Sequence, residues 1–268
     1  MLELNKIYNE NCLDTISRMP DNFLDLVVTS PPYDNLRDYN GYFIDYDKVI
    51  SGLYRVMKQG GVIVWVVGDA TVNGSETGSS FEQVLKFRDA GFKIHDTMIY
   101  EKNSPSYPAG AKSNRYSQVF EFMFILSKGK PKTANLLKDR KNKYAGTYSW
   151  GKSSNRQKDG ILISQQKPIL ISDYSYRFNI WKLNTGHGFS TKDKIAFKHP
   201  AIFPESLASD HIKTWSNIGD IVYDPFMGSG TTAKMAIFNS RKYIGSEISV
   251  EYCDIIKERL KSYNNILC

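Results

Sequence analysis

At 268 residues, 41% of them hydrophobic, the chain is long enough to bury one large core, or a core with a smaller appended region. It has no run of about 18 apolar residues, and its start, MLELNKIYNENC, has neither a basic n-region nor an apolar h-region, so neither a membrane span nor a secretory signal is expected. The formal net charge of +7 is uneven: residues 128–198 hold 16 Lys/Arg against 4 Asp/Glu, and the rest of the chain holds 19 against 24.

In chain order, Leu24 to Ser30 reads as a short buried strand, too short and too β-branched for a helix. It runs into Thr29-Ser30-Pro31-Pro32-Tyr33, a stiff turn whose two prolines supply no backbone donors. YDKVISGLYRVMKQ (46–59) has Val49, Leu53, Val56 and Met57 at helical spacing, with Gly60-Gly61 expected to end the helix. VIVWVV (62–67) is a buried strand, SFEQVLKFRDAGF (80–92) a second helix stopping at Gly91, and IHDTMIY (94–100) and VFEFMFILSKG (119–129) are further strands. From 128 to 198 this rhythm stops, and part of the segment is expected to be disordered until a partner binds. It returns with DIVYDPF (220–226) as strand, TTAKMAIFNS (231–240) as helix, KYIGSEI (242–248) as strand and SVEYCDIIKERLKSY (249–263) as an amphipathic helix. The alternation predicts an α/β fold with a parallel or mostly parallel sheet and helices on both faces. The expected organisation is an α/β domain in two parts, 1–127 and 199–268, interrupted by a basic insertion over 128–198.

DPFMGSGTT (224–232) joins a strand to a helix through Gly228 and Gly230, which let a ligand approach the backbone next to free helix N–H groups. It is no P-loop, because Gly230 is followed by threonine, and no dinucleotide fingerprint, because Ala233 stands at the third glycine position. The following strand ends at Glu247, an acid placed to accept bonds from ribose hydroxyls. Cys12, Cys253 and Cys268 are scattered thiols, and His187, His199 and His211 lack ligand spacing, so a reduced cytoplasmic setting with no metal site is expected.

With these stretches together, the chain resembles the S-adenosylmethionine-dependent amino-group DNA methyltransferases. Ser30-Pro31-Pro32-Tyr33 matches their catalytic tetrapeptide, DPFMGSGTT their cofactor loop, GSEISVEY (245–252) their ribose-binding strand end and HPAIFPESLA (199–208) the segment lining the methionine end. IYNENCLDTISRMPDN (7–22) is similar to the leader before the catalytic loop. There Asn11 stands where relatives carry the aspartate of a Gly-Asp pair, and it can accept one hydrogen bond and donate another without charge. The order, catalytic loop first and cofactor loop near the C-terminus, is that of the beta subgroup, with a Rossmann-like sheet and the target-recognition region between the loops. The resemblance implies that Ser30, Pro31, Pro32 and Tyr33 are catalytic. It implies that Asn11, Thr29, His199, Pro204, Glu205, Asp224, Pro225, Phe226, Gly228, Ser229, Gly230, Thr231, Thr232 and Glu247 hold S-adenosylmethionine.

The chemistry suits the loop. An exocyclic base amine is a poor nucleophile until acceptors for both hydrogens, here the Ser30 hydroxyl and the Pro31 carbonyl, aim its lone pair. Tyr33 offers a face for a base flipped out of the duplex. In the basic segment, cations interleave with aromatics and amides, and Arg140, Lys141, Lys143, Lys152, Arg156, Arg177 and Lys182 are candidate contacts to double-stranded DNA. A cognate restriction endonuclease and a homodimer are partners that the resemblance leaves open. Ser30 inclines the target to cytosine N4 over adenine N6. The competing readings are a methyltransferase for RNA or a protein amide, and a non-catalytic DNA-binding protein that retained a cofactor pocket.

Overall fold

The computed structural model describes residues 2–32, 44–105, 114–149, 154–164, 168–261 and 263. The chain divides into two compact units, Met1–Asn135 with Asn179–Cys268, and Leu136–Phe178. The second unit is shorter than the basic segment 128–198, both of whose ends fold with the first unit.

The first unit is built on an eight-stranded sheet: β1 (Lys6–Tyr8), β2 (Leu24–Thr29), β3 (Met57–Val67), β4 (Lys93–Lys102), β5 (Phe120–Ser127), β6 (Ile180–Leu183), β7 (Ile221–Asp224) and β8 (Lys242–Ser246). Across the sheet the order is β1-β8-β7-β2-β3-β5-β4-β6. Every neighbouring pair is parallel except those made by β5, which runs antiparallel to both β3 and β4. The helices are α1 (Cys12–Ser17), α2 (Tyr46–Val56), α3 (Ser79–Asp89), α4 (Glu205–Trp215), α5 (Thr231–Phe238) and α6 (Val250–Lys261).

Residues 60–67 of β3 are buried one after another, which requires cover on both faces of the sheet. Ile63, Trp65 and Val67 join a core with Val49, Ile50, Leu53 and Val56 of α2 and Val84 and Phe87 of α3. The Trp65 ring meets Phe87 edge-on at 4.9 Å, and its Nε1–H donates to Gln83 Oε1 at 2.8 Å, satisfying the one polar atom that burial would strand. Fully burying a side chain such as Phe87 (0% exposed) is worth about 1.5–3 kcal/mol. Helix α4 packs against β2 and β3, and Leu207, Ala208 and Ile212 are buried there.

Gly60 and Gly61 do not end a helix. α2 stops at Val56, and the chain enters β3 at Met57 and runs through both glycines. Gly60 has φ +80°, and a Cβ there would sit 2.8 Å from Lys132 Cβ, so the glycine serves a close approach of two chain segments. Among the described residues no helix is long and apolar enough to cross a membrane.

The second unit consists of nested antiparallel pairs: Lys138–Lys141 with Tyr174–Tyr176, Tyr148–Ser149 with Ile169–Leu170, and Ser154–Arg156 with Leu162–Ser164. Tyr148, Leu162, Ile169, Tyr174, Tyr176 and Phe178 are exposed along it.

Candidate active site

In an open parallel sheet, ligands gather at the carboxyl ends of the strands. Here a cleft of about 1490 Å³ runs along that edge. Glu10 and Asn11 follow β1, Ser30, Pro31 and Pro32 follow β2, Gly68 and Asp69 follow β3, Pro225 and Phe226 follow β7, and Glu247 follows β8; all line it. Lys102 ends β4, and Phe120 and Glu121 open the antiparallel β5, so these too reach the same edge.

One end is built on the glycine loop between β7 and α5. Gly228 has φ +54°, and a Cβ there would lie 3.0 Å from His199 Nε2, so the backbone is bare at this point by necessity. The Gly228 N–H donates to Glu247 Oε2 at 2.8 Å, and the Ser249 N–H to Glu247 Oε1 at 2.9 Å. Burial pushes the Glu247 carboxyl up from its ordinary range, and these two N–H donors partly offset it. The His199 ring lies edge-on to Tyr252 at 4.4 Å. Asn11 caps α1, its Oδ1 accepting from the Leu13 N–H at 2.9 Å.

The Ser30-Pro31-Pro32 loop leaves the middle of the sheet. The Pro32 carbonyl accepts from the Tyr46 hydroxyl at 2.9 Å, which ties the loop to α2. One layer below, Thr29 Oγ1 donates to Asp224 Oδ1 at 2.6 Å and joins the strand ends of the two loops. Asp224 Oδ1 also accepts from the Phe226 N–H at 3.0 Å, whereas Oδ2 is buried with no hydrogen-bond partner. Burial pushes this carboxyl up to about 6, against the pull of its hydrogen bonds. Cys12 lines the cleft, but burial pushes its thiol up to about 12, which leaves it no nucleophile at neutral pH.

The far end carries Tyr100, Lys102 and Glu121. Tyr100 and Glu121 face each other across β4 and β5, and Lys102 Nζ pairs with Glu121. Asp69 caps α3 from the cleft edge, accepting the Ser80 N–H at 2.8 Å and the Ser80 hydroxyl at 2.6 Å.

Of the cofactor residues expected from sequence, Asn11, His199, Pro225, Phe226, Gly228, Ser229, Thr231 and Glu247 line the cleft. Thr29, Pro204, Glu205, Asp224, Gly230 and Thr232 do not line it. The Thr232 hydroxyl donates to the Val28 carbonyl at 3.0 Å, and Glu205 Oε1 accepts from Arg259 and Lys234 at 2.6 and 2.7 Å. Tyr33 and Lys152 lie outside the described residues. Of the expected DNA contacts, Arg177 is paired with Asp139, the Arg140 guanidinium stacks on Phe178 at 4.2 Å, and Lys182 lies on β6 of the first unit, paired with Glu101 at 2.9 Å. Lys141 and Arg156 are exposed, and Lys143 Nζ lies 5.5 Å from the Tyr144 ring. Among the described residues no cluster of His, Cys, Asp and Glu could hold a metal ion.

Sequence reasoning missed the charges behind the loop, the buried Lys234 and Arg259 and the half-buried Asp193. One signal was present: Lys234 interrupts the apolar helix TTAKMAIF, and a lysine there needs a carboxylate partner.

The family model described as DNA methylase, for N6 and N4 amino-methyltransferases, matches residues 24–258. The orphan methyltransferase M.BamHII of Bacillus amyloliquefaciens is 62% identical over 240 residues, covering 90% of this chain and 89% of that protein. Among solved structures, the cytosine-N4-specific PvuII DNA methyltransferase superposes with a TM-score of 0.67 at 20% identity, covering 98% of this chain and 92% of that one. TTHA0409 of Thermus thermophilus, complexed with S-adenosyl-L-methionine, does so with 0.63 at 23%, covering 97% and 94%. The fold is that of these Rossmann-like methyltransferases, and the chain belongs to the N6/N4 DNA methylase family.

Proposed function

We propose that this DNA methylase transfers a methyl group from S-adenosylmethionine to the exocyclic amine of a base flipped out of duplex DNA, with cytosine N4 as the target atom. One observation carries the reading. Ser30-Pro31-Pro32 leaves the centre of the sheet, with the glycine loop and Glu247 on one side along the cleft and Tyr100, Lys102 and Glu121 on the other. A donor at the first end and a base entering from the second meet at this loop. The motif order, with the basic segment between the loops, supports the beta subgroup.

The residues at the first end suit the cofactor. Gly228 leaves backbone bare where a Cβ would crowd His199. Glu247, 8% exposed, offers a carboxylate for ribose hydroxyls, Asn11 a polar amide for the adenine, and His199 a ring at the methionine end. When bound, S-adenosylmethionine supplies an electrophilic methyl group on a sulfonium sulfur. The protein's own part is to orient the amine. The Ser30 hydroxyl and the Pro31 carbonyl accept its two hydrogens, which turns the nitrogen lone pair toward the cofactor end. Adjacent prolines hold these acceptors stiffly, and Tyr46 anchors the loop from α2. The Tyr33 ring is the proposed stacking face for the flipped base.

The choice of cytosine rests on Ser30, since loops beginning with serine go mostly with cytosine in the family this chain resembles. The test is to methylate duplex DNA with the protein, digest it to nucleosides and identify the product by mass. N4-methylcytosine is the expected product. Methyladenine alone would overturn the target atom and leave the family assignment standing.

A further inference from the structure

The glycine loop has little means of holding its own shape. Gly228 and Gly230 both have positive φ, and the one side chain between them is Ser229. One bond is its own, from the Gly230 N–H to the Met227 carbonyl at 2.9 Å, and the rest come from outside it: Glu247 holds Gly228, and the C-terminal helix holds Ser229 and Thr231. The Arg259 side chain is 0% exposed. Its Nη1 donates to the Ser229 carbonyl at 2.8 Å, to Ser229 Oγ at 3.2 Å and to Thr231 Oγ1 at 3.1 Å. Nε donates to Asp193 Oδ2 at 2.8 Å, and Nη2 donates to Glu205 Oε1 at 2.6 Å and Thr191 Oγ1 at 3.2 Å. Lys234, from α5, completes the group with bonds to the same two carboxylates at 2.8 and 2.7 Å.

Two cations face two carboxylates, so the burial leaves no net charge unmatched. The pairing outweighs burial at both kinds of site. Burial alone would raise the Asp193 carboxyl and lower the Lys234 ammonium, yet Asp193 is held below its ordinary value and Lys234 above it. Asp193 and Glu205 flank His199 in sequence, so one guanidinium ties together the glycine loop and the segment carrying the ring that faces Gly228. Only a rigid fork with donors in several directions can do this; a lysine ammonium is a point donor on a flexible stem.

We propose that Arg259 is a positioning residue for the methyl donor. It fixes the glycine loop and the 191–205 segment in their binding geometry before the cofactor arrives, without touching the cofactor. The proposal rests on the reading of this loop as the cofactor site. It places the conformational cost of ordering two glycines in folding instead of binding, so cofactor affinity gains from the preorganisation.

The test compares the 268-residue protein with Arg259→Lys, which keeps the charge and loses the fork, and with Thr191→Val, which removes the hydroxyl that accepts from Nη2 and from the Asp193 N–H and donates to Glu205, at a residue off the cleft wall. S-adenosylmethionine binding is measured by calorimetry well below each variant's unfolding midpoint, and methyl transfer to DNA at saturating cofactor. Arg259→Lys is expected to weaken cofactor binding about tenfold, the loss of one charge-assisted bond, and Thr191→Val about threefold. In both, kcat at saturating cofactor and DNA affinity are expected to stay within about twofold of wild type, a pattern that a general loss of stability does not produce. Wild-type cofactor affinity in both variants would overturn the proposal alone, as would a fall in kcat with affinity unchanged. Failure of the wild-type protein to bind S-adenosylmethionine would overturn the reading of the loop and the proposal with it. If Arg259→Lys does not fold, unchanged affinity in Thr191→Val overturns the proposal and weakened affinity supports it.

Discussion

Asp224 is a carboxylate kept at a cost. Its Oδ1 receives the Thr29 hydroxyl and the Phe226 N–H, while Oδ2 is buried without a partner. Burial raises its pKa from 3.8 to about 6, a difference worth roughly 3 kcal/mol. Because the folded protein holds this proton more tightly than the unfolded chain, stability is greatest below about pH 4 on this account, falls as pH rises through about 6 and is level above it. Asp224→Asn removes the ionisation. Its unfolding midpoint, compared with wild type across pH, is expected to gain between pH 4 and 6 and to hold that gain at pH 8. Parallel curves would show that folding does not shift the Asp224 carboxyl. Gly228 sets a second residue-scale expectation. Its φ of +54° and the His199 ring 3.0 Å from where a Cβ would stand leave no room for a side chain. Gly228→Val is expected to weaken S-adenosylmethionine binding by more than about tenfold, since even 1–2 kcal/mol of left-handed strain adds to the clash. Calorimetry would show otherwise if the affinity were unchanged.

At the scale of elements, legibility followed length and periodicity. α2 was visible because Val49, Leu53 and Val56 fall on one face, and β3 because its apolar run is unbroken. β1 and α1 have three and six residues, too few to show a period. β6 was hidden in the basic segment because only Trp181 of its four residues is buried, and what makes it a strand is its ladder with β4. The misplaced end of α2 has the same origin: a glycine pair normally signals a stop, and only the chain at Lys132 shows that Gly60 answers to a neighbour. If the paired ribbons of the second unit bind DNA, their charges fall into two sets. Arg177 is neutralised by Asp139, as Lys182 on β6 is by Glu101, whereas Lys141, Lys143 and Arg156 have no ion pair among the described residues. Neutralising Lys141, Lys143 and Arg156 is expected to flatten the salt dependence of DNA binding by about 0.9 for each phosphate left without its cation. Neutralising Arg177 and Lys182 is expected to change it little. Equal slopes in the two sets would remove this ribbon from the DNA-binding surface.

At the scale of the whole molecule, the sheet order places the chemistry. β2 stands fourth of eight strands, with β1, β8 and β7 to one side and β3, β5, β4 and β6 to the other. The residues proposed to hold the cofactor and those proposed to face the base thus reach the same edge from opposite flanks of the Ser30-Pro31-Pro32 loop. The two loops were legible in sequence because each is contiguous. The brace behind them was not, because Thr191, Asp193, Glu205, Lys234 and Arg259 meet only through the fold. The proposed role of Ser30, at the sheet's midpoint, is to orient the target amine. It is tested most directly by single-turnover transfer of labelled methyl from S-adenosylmethionine to duplex DNA, comparing wild type with Ser30→Ala, and with cofactor affinity measured alongside. The expected result is a rate lower by a factor of about 100 to 1,000, the usual effect of removing one preorganised polar contact, with cofactor affinity unchanged. Transfer at the wild-type rate by Ser30→Ala would contradict the account.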